Sequence, residues 1–141
     1  MAGSSTTLSA SLEDYLEAIF QILAEKQAVR AKEIARRLRV TRPSVTGALQ
    51  ALAREGLIVH APYDVITLTP AGETAAREVV RRHETLKDFF TEVLEVEEEE
   101  AEEAACGIEH VVSEKIIDRL VALVAKHRRP ARRPGRERKT V

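Results

Sequence analysis

Apolar positions Leu12, Leu16, Ile19, Phe20 and Leu23 recur at three- and four-residue intervals, so the chain opens on an amphipathic helix that Ser11 can cap. A shorter helix is predicted over 31–38, with Ile34, Ala35 and Leu38 inward. Arg39 and Val40 make a turn, and Thr41 caps a third helix that carries Pro43 in its first turn, where a missing N–H costs nothing. Val45, Leu49 and Leu52 face inward there, and Gly56 stops the helix. Alternation then predicts two strands, over about 57–60 and 65–68, joined by Ala61-Pro62-Tyr63-Asp64. Thr69-Pro70 opens a long helix that runs through His83 towards Leu94, and two further helices are expected over 98–112 and 114–126. A short helix, a tight turn, a second helix and a β-hairpin form the winged helix-turn-helix pattern. The expected fold is mainly α: a winged helix-turn-helix domain over 11–70 followed by an all-helical domain over 71–127.

Charge separates this pattern from an ordinary helical hairpin. The net charge is −1 over 141 residues, but the signs are segregated. Between Lys26 and Arg54 eight basic residues face one acid, Glu33, the footprint of a surface that contacts phosphates. Residues 92–103 carry eight glutamates and no base, a composition that favours the start of a helix. Residues 128–141 are basic again, with Pro130, Pro134 and Gly135 and little apolar material, and are expected to be a disordered tail. Residues 1–10 are expected to be flexible.

In such a motif the second helix enters the major groove by its N-terminal end. Thr41, Arg42, Ser44 and Thr46 stand there, short and polar or basic, with Lys32, Arg39 and Pro43 beside them as candidate DNA contacts. Regulators of this kind read palindromic double-stranded operators as homodimers. Leu86, Phe89, Phe90, Val93, Leu94, Ile116, Ile117, Leu120, Val121 and Val124 offer apolar surface for the dimer.

The remaining composition excludes several classes. One cysteine forms no disulfide within the chain, no apolar run approaches a membrane span, and the N-terminus is not a secretory signal. A cytoplasmic protein with no membrane partner is expected. Neither a nucleophile motif nor Gly-rich loops accompany the titratable residues, so an enzyme is not expected.

Cys106, Glu109 and His110 stand at i, i+3, i+4, which places thiol, carboxylate and imidazole on one helical face. Asp14 and Glu17, three apart on the first helix, and His83 on the long one could complete a cation site. Singly, each has a plain structural explanation: Asp14 as part of a helix cap, Glu17 as a solvated residue, His83 as a surface histidine, Cys106 as a small hydrophobe. Glu102 lies one turn before Cys106 on the same face.

The stretches SLEDYLEAIF (11–20), AKEIARRLRVTRPSVTGALQALAREGLI (31–58), ITLTPAGE (66–73), RRHETLKDFF (81–90) and CGIEHVVSEKIIDRL (106–120) resemble the diphtheria-toxin-repressor family, most closely its short, manganese-responsive branch. The similarity covers about residues 8–125, in order. It implies a metal-responsive regulator, a repressor of metal uptake, whose helical domain binds metal and dimerises. It also implies a ligand set. Asp14 and Glu17 match the acids of the first helix, His83 matches the histidine of the long helix, and Glu109 and His110 match the last two ligands. Cys106 departs from the manganese branch, which has Glu there, and is similar to the iron-responsive branch. In a two-cation arrangement Glu17 and Glu109 would bridge, with Asp14 and His83 on one ion and Cys106 and His110 on the other. Carboxylates suit Mn²⁺ and Fe²⁺, the first candidates, whereas the thiol brings in Zn²⁺ and Co²⁺.

Overall fold

The computed structural model describes residues 8–128. The expectations for a flexible start and a disordered tail lie outside the described residues, except at their inner edges. Six α-helices and one hairpin are present among them: α1 (Ala10–Glu25), α2 (Ala31–Leu38), α3 (Arg42–Arg54), β1 (Ile58–Ala61), β2 (Val65–Leu68), α4 (Pro70–Asp88), α5 (Glu98–Ile108) and α6 (Glu114–Arg128). The chain divides into two compact units at Val80/Arg81, inside α4. The expected boundary fell ten residues earlier. The reason is that α4 contributes Ala76 to the first unit's core and Leu86 to the second's.

In the first unit α1 buries Leu16, Ile19 and Ile22 against α2 and α3. Its cap is Ser9, not Ser11. Ser9 is extended (φ −67°, ψ 158°) and its hydroxyl accepts the Leu12 N–H at 3.1 Å, whereas Ser11 already lies inside the helix. Between α2 and α3 the chain turns through Arg39 in the left-handed region (φ 59°), and the Val40 N–H bonds back to the Ala35 carbonyl at 3.1 Å. Thr41 caps α3 as expected, accepting the Ser44 N–H at 3.2 Å. Val45, Leu49 and Leu52 are fully buried.

The wing is antiparallel, with Ile58 opposite Leu68 and Ala61 opposite Val65. Val29 adds a bridge to Ile66, a pairing that periodicity did not reveal because a single residue has no period. The loop between the strands puts Tyr63 and Asp64 at positive φ. Asp64 ties the loop down: one carboxylate oxygen accepts the Ala31 N–H of α2 at 2.9 Å, the other meets His60 Nε2 at 2.6 Å. Burial acts to raise the Asp64 pKa, but these two hydrogen bonds outweigh it and hold the carboxyl below its usual value. After β2, the Thr69 hydroxyl accepts the Gly72 N–H at 3.0 Å and donates to the Gly56 carbonyl at 2.7 Å. A Cβ on Gly72 would stand 1.8 Å from the Leu57 carbonyl oxygen, so only glycine fits this approach.

In the second unit α4 ends at Asp88, short of the expected Leu94. A π-helical turn, Phe89–Val93, follows, in which the Leu94 N–H reaches the Phe89 carbonyl at 3.2 Å. Thr91 Oγ1 donates to the Lys87 carbonyl at 3.0 Å, a local competitor for the regular helical bond. Similarly α5 stops at Ile108 rather than 112, because Arg82 Nε takes the Glu109 carbonyl at 2.9 Å. Leu86, Ala105 and Ile117 form the core here. Leu86, Ile117 and Val124, expected on the dimer surface, are therefore interior, while Leu94, Ile116 and Val121 are exposed. Among the described residues no helix is long and apolar enough to cross a membrane.

Candidate metal centre and nucleic-acid interface

The centre of the second unit is a buried imidazole between two carboxylates. His83 is 4% exposed on α4. Its Nδ1 stands 2.6 Å from Oε1 of Glu109, and its Nε2 stands 2.9 Å from Oε2 of Glu102. Glu109, at the C-terminal end of α5, is completely buried. Its second oxygen, Oε2, is buried with no hydrogen bond, and its ion-pair partner is His110 Nε2 at 3.4 Å. An unmet acceptor of this kind costs about 1–3 kcal/mol, more for a charged group, so it marks a position where a cation would be stabilising. A buried carboxylate with one imidazole at each oxygen, His83 at Oε1 and His110 at Oε2, fits a first-row divalent ion.

Electrostatics agrees with the geometry. The Glu109 hydrogen bond, opposed by burial and assisted by Glu102, pushes the His83 pKa up to about 9. At neutral pH His83 is thus an imidazolium, and its proton supplies positive charge to the site. Burial acts to raise Glu102, but its bond to His83 and the nearby Lys87 charge hold it below the usual carboxylate range. Lys87 Nζ lies 3.2 Å from Glu98 and 3.4 Å from Glu102.

Of the residues expected to bind metal, the second unit brings His83, Glu109 and His110 together. Cys106 is exposed on α5. Glu109, the C-cap of α5, keeps helical dihedrals (φ −59°, ψ −26°) and its N–H still reaches the Ala105 carbonyl at 2.9 Å, so the helical course from Cys106 continues to it. In the first unit Asp14 is half-buried and Glu17 is buried, one turn apart on α1, with Gln21 donating to Glu17 at 3.4 Å. The contact between Glu102 and His83 was not foreseen; Glu102 stood out only for its spacing from Cys106.

In the first unit Lys32, Arg39, Thr41, Arg42, Pro43, Ser44 and Thr46 are all exposed. The basic segment divides by use. Arg37 is tied to Glu25 at 3.1 Å and Lys26 pairs with Glu33, whereas among the described residues no salt bridge engages Lys32, Arg39 or Arg42. Arg39 occupies a left-handed position that costs a side chain roughly 1 kcal/mol relative to glycine.

The model of the iron-dependent repressor N-terminal DNA-binding domain matches residues 7–66, and that of its metal-binding and dimerisation domain matches 69–135. The HTH-type transcriptional regulator MntR of Lysinibacillus sphaericus is 40% identical over 114 residues, 81% of each chain. An uncharacterised HTH-type regulator of Methanocaldococcus jannaschii is 36% identical over 84% of this chain and 96% of its own. This chain belongs to the diphtheria-toxin-repressor family. Solved structures agree with that membership. T. acidophilum IdeR matches with a TM-score of 0.73 at 26% identity, over 89% of this chain and 56% of its own. A manganese-dependent transcriptional repressor in complex with manganese matches with a TM-score of 0.73 at 31% identity, over 81% and 52%. The chain spans about half the length of those two proteins. Within the diphtheria-toxin-repressor family, a metal-dependent family of DNA-binding, dimerising transcription regulators, it keeps the winged helix-turn-helix domain and the helical dimerisation domain.

Proposed function

We propose that this protein is a transcription repressor that binds palindromic operators as a homodimer when Mn²⁺ or Fe²⁺ is bound, and so controls metal uptake. Asp14, Glu17, His83, Cys106, Glu109 and His110 would hold the metal; Lys32, Arg39, Thr41, Arg42, Pro43, Ser44 and Thr46 would meet DNA. The observation that carries the reading is the buried Glu109 carboxylate, whose Oε1 meets His83 while its Oε2, without a hydrogen bond, lies 3.4 Å from His110. The manganese-bound repressor among the similar structures supports the choice of metal.

Glu109 and His83 would hold a divalent cation, which would supply there the positive charge that His83 otherwise provides as a proton. The protein's own residues do the rest. Glu109 is held by Arg82 through its backbone and by His83 through its side chain, so its free oxygen has little freedom to turn away. His83 must give up the Nδ1 proton to act as a ligand. Conformers that satisfy the proposed ligand set gain population on loading, and coupling to DNA follows by linkage.

Exposed Cys106 favours a second reading, in which Zn²⁺ or Co²⁺ is the effector, because a thiolate prefers softer ions. A similar repressor, ScaR, is known with Zn²⁺ bound. Operator affinity measured in chelator, Mn²⁺, Fe²⁺ and Zn²⁺ tests both readings. Mn²⁺ or Fe²⁺ should tighten binding at least tenfold. Equal affinity in chelator and in every metal rejects the sensor, and a response confined to Zn²⁺ or Co²⁺ selects the second reading.

A further inference from the structure

The contact between His83 and Glu102 goes beyond the ligand set. A histidine that binds a metal through one ring nitrogen almost always donates the N–H of the other to an acceptor, which fixes the tautomer and the ring plane. Both nitrogens of His83 face carboxylates, but the two differ. Glu109, on Nδ1, is completely buried and has an oxygen to spare. Glu102, on Nε2, is half-exposed at its side chain, and its other oxygen is drawn to Lys87.

We propose that Glu102 is a positioning residue of the metal centre: its carboxylate accepts the Nε2–H of His83 and so presents Nδ1 to a cation shared with Glu109. The inference rests on the metal-sensing reading above. Lys87 completes the arrangement, because its ammonium bridges Glu98 and Glu102 and keeps the carboxylate on the ring. Glu102 then needs no place of its own on the metal. It holds the ring in register and makes Nδ1 a stronger donor.

The tests use the full chain. In the Zn²⁺-loaded protein the ring ¹⁵N signals of His83 should show Nε2 protonated and Nδ1 metal-bound. Mn²⁺ affinity should fall about tenfold or more in Glu102→Ala, and less in Glu102→Gln, whose amide oxygen still accepts the N–H. Glu103→Gln removes one neighbouring exposed charge without touching the ring, and should leave affinity within about threefold. The inference is overturned if the metal sits on Nε2, or if Glu102→Ala binds Mn²⁺ no more weakly than Glu103→Gln. Where Glu102→Ala does not fold, Glu102→Leu takes its place, and the inference is overturned if that variant binds Mn²⁺ no more weakly than Glu103→Gln. A wild-type protein that takes up neither Mn²⁺ nor Zn²⁺ in equilibrium dialysis fails at the earlier step, and that failure removes the sensing function itself.

Discussion

At the N-terminal end of α3, Arg42, Ser44 and Thr46 stand in solvent, and among the described residues no salt bridge holds the arginine. Around Glu109 the reverse holds: a completely buried carboxylate has one oxygen on an imidazolium and the other without a hydrogen bond. Exposed charge in high dielectric is inexpensive to leave unmatched and gains its value when phosphates arrive. Buried charge is expensive to leave unmatched, so a small change in its partners carries a large free-energy difference. Under the proposed function, the first surface would read DNA and the second interior would sense the cation. Each can be broken separately.

The largest effect is expected from Glu109→Gln. It keeps the shape of the side chain but removes the charge, and should abolish metal-stimulated operator binding, read by fluorescence anisotropy, while circular dichroism stays native. A full metal response from this variant would dissolve the distinction. Gly72→Ala breaks the scaffold instead, since the added methyl meets the Leu57 carbonyl. Chemical denaturation should show a loss of about 1–3 kcal/mol.

Smaller effects sharpen the reader side. Arg42→Ala should weaken operator binding at saturating metal and lower the slope of log K against log salt by about one, with Mn²⁺ affinity unchanged. If metal affinity moves instead, Arg42 does not belong to the reader alone. The smallest effect is expected from Arg39→Gly. Relief of the left-handed strain should raise stability by up to about 1 kcal/mol, while operator affinity falls. A rise in both would show that Arg39 makes no DNA contact.

Much of the fold was legible in the chain. α2 and the cap of α3 follow from helical spacing and turn chemistry, signals confined to a few neighbouring residues. Spacing also picked out Glu109 and His110. What local signals miss is the bond between segments. The ends of α4 and α5 were overrun because Thr91 back-bonds to a carbonyl and Arg82 reaches Glu109 across 27 residues. Leu86 and Ile117 read as dimer surface because periodicity marks an apolar face without saying what covers it. Glu102 sits in a run of glutamates that composition cannot tell apart, and only the fold brings it to His83.

The central claim is that the cation takes over a charge that a proton supplies in its absence. His83, with its pKa raised to about 9 against an ordinary 6.5, is protonated at pH 7 in the metal-depleted fold. Because the folded value lies above the unfolded one, this pairing stabilises the metal-depleted protein fully below about 6.5 and is lost as pH rises through about 9. Metal uptake must then release the proton, and affinity should climb between pH 7 and pH 9. The direct measurement is calorimetric titration of Mn²⁺ at pH 7 in buffers of different ionisation enthalpy. The account predicts release of about one proton from His83 per loaded site, absent in His83→Gln. Tight Mn²⁺ binding with no proton released by the wild-type protein would contradict it.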